Sequence, residues 1–343
     1  MSGVESTLKS EFPEATEAEV KRFVRACQNP KLDADAVKAQ AEKLLEDYLD
    51  WRSCYGLDYK EEEGVESPDA EDWKFAIEKS LEVNASMRRA KDLEKKLADE
   101  QAKQAQEEKQ PVSYDIDVSD SQKSEGEDKK EESQEKSTSN SDAKDADDKE
   151  ETAEMSDDQK KKELSQVIFQ HKDKDGNPIT DKEGCKILYV LPGLINRRVA
   201  QADFYALALS FYLDRKFDRA SEEKMTVVID VRAGEGWPNP VAFMMVKFVH
   251  TITRQLQQHY PERLKSLIVF PVPWAAQGVY AAIIKNVFRS EILEKITLIS
   301  GPASQAAPLP REKLRELLAD KVLDLTEQFR LDHFKPIGTF HDE

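Results

Sequence analysis

Residues 247–301, KFVHTITRQLQQHYPERLKSLIVFPVPWAAQGVYAAIIKNVFRSEILEKITLISG, decide how this chain is read. They run as helix, strand, helix, strand. From Ser266 to Ile284 there is no charged residue, in a chain where 35% of residues are charged. Such a surface has to be covered, by a protein core, a membrane or a lipid-like ligand. A membrane span needs about 20 consecutive apolar residues. Pro271, Pro273, Gln277 and Gly278 break this run into a buried strand ending in a turn and a separate apolar helix, whose one charge is Lys285.

Outward from this stretch the same alternation continues. SQVIFQHKD, KILYVLPG and MTVVIDV are strand-like, and VAQADFYALALSFYLDRKF is a helix presenting Phe204, Leu207, Phe211 and Tyr212 inward. The last strand is KITLIS, followed by a helix PREKLRELLA. Strands separated by helices imply parallel pairing through right-handed crossovers. The expected class is α/β, with a mostly parallel sheet and flanking helices.

The first 60 residues read differently. Thr16 and Glu19 form a capping-box pattern ahead of Val20, Phe23, Val24 and Cys27. Asp33 caps a second helix in which Val37, Ala41, Leu44, Tyr48, Trp51 and Tyr55 recur at spacings of three and four, and Gly56 stops it. This is a small helical module, expected to pack on the later domain. Residues 61–110 read as a helix docked through Trp73, Phe75, Ile77 and Leu81 that then becomes solvated and frays. Residues 111–163 carry 19 acidic against 9 basic residues and almost nothing aliphatic or aromatic. Such a segment cannot bury enough apolar surface to offset its ordering entropy, so disorder is expected. Residues 164–343 then form the α/β domain.

Composition excludes some functions. A net charge of −17 argues against nucleic-acid binding, which needs clustered Lys and Arg. Cys27, Cys54 and Cys185 are far apart and odd in number, which reads as reduced thiols in a cytoplasmic protein. MSGVESTLKS contains no apolar stretch of a secretory signal. Gly234 and Gly236 sit where a dinucleotide loop would, but Asn239 replaces the third glycine and Trp237 and Pro238 crowd the site. HKDKDGNPITDK imitates a calcium loop at Asp173, Asp175 and Gly176, yet Lys182 stands where the bidentate glutamate belongs, so it reads as a turn. The histidines form no metal-spaced pair, and His250 reads as a packed core histidine. No nucleophile elbow is present, and no enzyme is expected. Lys285 has two readings: a lysine laying its stem along apolar surface, or a charge at the mouth of an apolar cavity.

Several segments together resemble the CRAL-TRIO family. VKRFVRACQNPKLDADAVKAQAEKLLEDYLDWRSCYG resembles its N-terminal helical module. HKDKDGNPI, TVVIDV and HYPERLKSLIVFPVPW resemble strands of its lipid-binding domain, in the family's order. The resemblance covers roughly 1–58 and 165–335, with the stretch between as an insertion. It implies a CRAL-TRIO-like domain preceded by the helical module, and a single lipid or other hydrophobic molecule, with no other cofactor, held in an apolar pocket. The helix 275–288 becomes a gate, and the family's headgroup lysine falls on Lys285. The family's partner glutamate falls on Thr251, which leaves phosphatidylinositol or another phospholipid open. Phe243, Met244, Met245 and Phe248 supply a soft wall. Phe270, Trp274, Tyr280, Ile283, Ile284 and Val287 supply the wall opposite. The resulting expectation is a cytoplasmic monomer that exchanges lipid during transient contact with a membrane surface, with no nucleic-acid partner. The alternative is a protein-interaction adaptor on the same fold.

Overall fold

A computed structural model describes residues 2–57, 69–107, 156, 159–160, 164–173, 175–232, 234, 246–274, 277–288, 290–304 and 306–334. The acidic stretch 111–163 therefore lies almost wholly outside the described residues. The chain divides into two compact units. One joins Met1–Ser86 to Met155–Glu343, and the other is Met87–Glu154.

In the first unit, helices α1 (Ser2–Glu11), α2 (Glu17–Cys27) and α3 (Ala34–Tyr55) make the N-terminal module. The Thr16 side chain accepts from the Glu19 N–H and the Glu19 carboxylate from the Thr16 N–H, closing the capping box. Asp33 caps α3, and Gly56 ends it at φ 60°, the left-handed region that glycine enters without steric cost. Leu8, Val20, Phe23, Val24, Val37, Ala41, Leu45 and Tyr48 close a small core.

This module is fastened to the α/β domain by a buried polar network. Arg52, 2% exposed, pairs with Asp214 and donates to the Leu57 carbonyl. Glu19 is fully buried, and it accepts from the Tyr48 hydroxyl at 2.7 Å and from Arg219 at 2.7 Å. Burial pushes the Glu19 carboxyl up, but the hydrogen bonds from Arg219, Thr16 and Tyr48 outweigh it and hold the group below its usual value. Helix α4 (Asp69–Glu107) docks its start on the same domain through Trp73, Ala76, Ile77 and Leu81, while Asp72 meets Arg215 and Lys216. In the second unit α4 exposes Met87, Leu93 and Leu97.

The α/β domain is built on five strands: β1 (Ile168–Gln170), β2 (Lys186–Val190), β3 (Met225–Asp230), β4 (Leu264–Val272) and β5 (Ile296–Ser300). They lie in the order of the chain. β1 is antiparallel to β2, and all later pairs are parallel. The loop before β2 is a turn, with Asp173 accepting from the Asp175 and Asn177 N–H groups and Gly176 at φ 83°. Helices α5 (Ala202–Lys216), α6 (Val246–His259), α7 (Gln277–Val287) and α8 (Ser290–Leu293) connect the strands. The expected helix over PREKLRELLA is only one turn, α9 (Arg311–Leu314); the residues after it fold as a longer helix, α10 (Asp320–His333).

Side chains alternate across the strands. Ile187, Tyr189, Val228, Ile268, Phe270 and Ile299 meet Leu314, Leu318, Val322 and Leu323 of the C-terminal segment. Beneath this face Arg232, fully buried, bonds Asp230, the Ala307 carbonyl and Glu327, and Tyr189 donates to Asp230 at 2.7 Å. The buried guanidinium thus ties the end of β3 to α10. The opposite strand face looks toward α5, α6 and α7.

Candidate functional site

That opposite face encloses a cavity of about 370 Å³. Its floor is formed by alternate residues of the parallel strands: Leu188 and Val190, Met225, Val227 and Ile229, and Leu267 and Val269. Leu209, Leu213 and Phe217 close one side. Phe248, Val249, Ile252, Thr253 and Leu256 of α6 close another, with Ile284 and Phe288 at α7. This lining is apolar because the strands are buried on both faces, which a parallel sheet covered by helices requires.

Polar groups enter the lining in two places. Thr253, Gln257 and Tyr260 project from α6 and the turn after it. The Tyr260 hydroxyl is already committed to the Ser210 carbonyl at 2.6 Å, and burial raises it well above its usual range. Arg25, Gln28, Glu262, Arg263 and Lys295 line the cavity where β3, β4 and β5 begin. Among the described residues, no cluster of three His, Cys, Asp or Glu side chains suits a metal ion, and no helix is long and apolar enough to cross a membrane.

The expected site residues separate into four groups. Phe248 and Ile284 line the cavity. Phe243, Met244 and Met245 lie outside the described residues, as do the side chains of Tyr280, Ile283 and Val287. Lys285 is on the exposed face of α7 and Thr251 is half-buried; neither lines the cavity. Phe270 and Trp274 require correction. Phe270 has the opposite strand parity from Leu267 and Val269, so it is fully buried in the core under α10. Trp274 is 85% exposed just past the end of β4 and walls nothing. His250 is also exposed rather than packed; the histidine of that helix that packs is the half-buried His259, stacked on Trp51.

The floor carries no signature in the sequence. The sequence places Met225, Val227, Ile229 and Leu267 in strands and Leu209, Leu213 and Phe217 in a helix, with nothing to mark them as a lining. The alternation in β3 and β4 was visible, but both faces are apolar, so composition carries no sign of which one meets a cavity.

The family comparison agrees with this architecture. Residues 167–314, which hold all five strands and most of the cavity, match the family model described as the CRAL/TRIO domain. Among solved structures, the crystal structure of Sfh5, a yeast Sec14-like protein, is 20% identical with a TM-score of 0.33. The match covers 40% of this chain and 50% of that one, so it spans about half of the Sfh5 chain. No curated protein matches the chain. Members of the matched family bind hydrophobic ligands such as lipids. With its mixed five-stranded sheet, flanking helices and preceding helical region, the segment 167–314 of this chain is a CRAL/TRIO domain.

Proposed function

We propose that this protein binds one lipid or similar hydrophobic molecule in the cavity and exchanges it at membrane surfaces. The observation that carries the reading is the apolar cavity of about 370 Å³ between the sheet and α5, α6 and α7. An apolar chain transferred into such a space gains about 0.8 kcal/mol per buried CH₂.

Helix α7 is the movable part of this proposal. Its Ile284 faces the cavity, while Gly278, Ala281, Ala282 and Lys285 face outward. Just before it stands the exposed Trp274. A Trp and a Lys bracketing a face of small residues suit the headgroup layer of a bilayer, where an indole is half solvated and an ammonium meets phosphate. Lys285 thus acts on the bilayer or on a headgroup crossing the mouth, phosphatidylinositol or another phospholipid among them. The protein works as a monomer that visits membranes from the cytoplasm.

The test is direct. The purified chain is extracted with organic solvent and co-purifying lipids are identified by mass spectrometry, alongside uptake of labelled phospholipid from vesicles. A bound lipid at near-stoichiometric amount is expected. No lipid and no uptake would sink the reading and leave a protein-interaction adaptor on the same fold.

A further inference from the structure

One end of the cavity differs from the rest. Arg25, Arg263 and Lys295 line it where β3, β4 and β5 begin, with Glu262 as the one carboxylate among the lining residues there. Two of the nearby carboxylates are each shared between two cations, and Glu223 is taken by Lys186. Glu262 lies 3.7 Å from Lys295 and 3.6 Å from Lys224, and Glu222 lies 2.5 Å from Arg25 and 3.7 Å from Lys21. Arg22 and Arg263 are 5% and 4% exposed, and among the described residues neither has a carboxylate within ion-pair distance.

Instead both guanidinium groups grip one loop. Arg22 donates to the Arg219 and Ser221 carbonyls, and Arg263 to the Asp218 and Glu223 carbonyls and the Ser221 hydroxyl. The buried Arg22 Nε has no partner. Burial and the facing Arg263 charge lower Arg22 to about 10, outweighing the more distant Glu19 and Glu222 carboxylates. In a chain of net charge −17 this end is locally cationic, and it borders an apolar channel.

We propose that this end receives the anionic group, a carboxylate or a phosphate, of an amphiphile whose chain occupies the cavity. The inference rests on the lipid-binding reading above and adds where the polar end of the ligand sits. Lys295 and Arg25 make the direct contacts, because both line the cavity and both keep part of their surface in solvent. Arg22 and Arg263 supply fixed charge behind them. The anion is drawn to the side of the sheet where the strands start, away from Trp274 and the start of α7, which follow the end of β4.

Displacement of a fluorescent long-chain probe from the full chain tests this, using ligands of one chain length. Palmitate and hexadecyl phosphate are compared with neutral hexadecanol, and inorganic phosphate is added alone. The anionic ligands are expected to displace the probe at concentrations about 10-fold lower than hexadecanol. In the Arg25→Gln, Lys295→Gln double variant that gap closes while hexadecanol binding is unchanged, and Lys321→Ala, exposed on α10 across the sheet, leaves the gap intact. An unchanged gap in the double variant, or its loss in Lys321→Ala, overturns the placement. Equal displacement by inorganic phosphate also overturns it, by making the end a site for free anions. Hexadecanol binding as tightly as palmitate sinks this inference alone, whereas failure of every amphiphile sinks the lipid-binding reading with it.

Discussion

The imidazole of His259, at the end of α6, stacks on the indole of Trp51 in α3 with ring centroids 4.0 Å apart and planes 16° from parallel. One contact therefore joins the N-terminal module to the helix that walls the cavity. Burial lowers His259 to about 4, and burial followed by the His333 charge does the same to His171. Both are neutral in the folded protein at physiological pH.

An acid dependence of stability follows. An unfolded histidine titrates near 6.5, so between about 6.5 and 4 the unfolded chain binds more protons than the folded one. Stability should fall as pH drops through that window, by at most about 1.4 kcal/mol per pH unit for each histidine. Glu19, held below its usual value, adds its loss only at lower pH. Urea unfolding followed by tryptophan fluorescence at pH 7.5, 6 and 5 measures the slope. In His259→Phe, which keeps an aromatic ring against Trp51, the slope should become shallower; an identical slope would remove His259 as a contributor.

Arg52→Ala should destabilise the chain by roughly 3–5 kcal/mol, because it removes the buried guanidinium that pairs with Asp214 and bonds the Leu57 carbonyl. Arg52→Met retains part of the packing and should cost less. Thermal melts of the three proteins rank them; equal melting temperatures would show that the pair fastens nothing.

Val227→Trp projects a large side chain from the floor into the cavity. Because the space is already there, the melting temperature should change by only a few degrees, where the same change in a filled core would cost about 1–3 kcal/mol. Lipid uptake from vesicles should fall about 10-fold or more as the space is occupied. Normal uptake by a folded Val227→Trp protein would place the ligand elsewhere.

Trp274→Ala removes an exposed side chain that supports no core. Flotation with liposomes should show weaker association, and vesicle-to-vesicle exchange should slow, while the amount of lipid bound at equilibrium stays the same. Unchanged flotation would dismiss the indole as a membrane contact.

Gly234→Ala tests the closing segment. A Cβ at this position would lie 2.2 Å from the Phe334 ring, at the end of α10. Phe334 is 6% exposed and belongs to the core under the sheet, so it has to move. A loss of about 1–3 kcal/mol is expected by chemical denaturation, and Gly234→Ala combined with Phe334→Leu should recover part of it.

Much of this architecture could be read along the chain. Thr16 with Glu19, Asp33 and Gly56 set helix ends through bonds to their own neighbours, and sequence spacing displays such local bonds directly. The strands KILYV, MTVVID and LKSLIVFPV were legible as short apolar runs, and the helices between them implied parallel pairing. Local pattern also divided the uncharged stretch Ser266–Ile284 at its prolines, into β4 and α7.

What tertiary structure decided was which side of each element faces what. Phe270 and Val269 are adjacent and equally apolar, yet one fills the core under α10 and the other lines the cavity. A parallel sheet covered on both faces is apolar on both, so no pattern distinguishes them; only the positions of α6, α7 and α10 do. The cationic end of the cavity is of the same kind. Arg22 and Arg25 lie more than 200 residues before Arg263 and Lys295, and their charges add only because folding brings α2 against the start of the sheet.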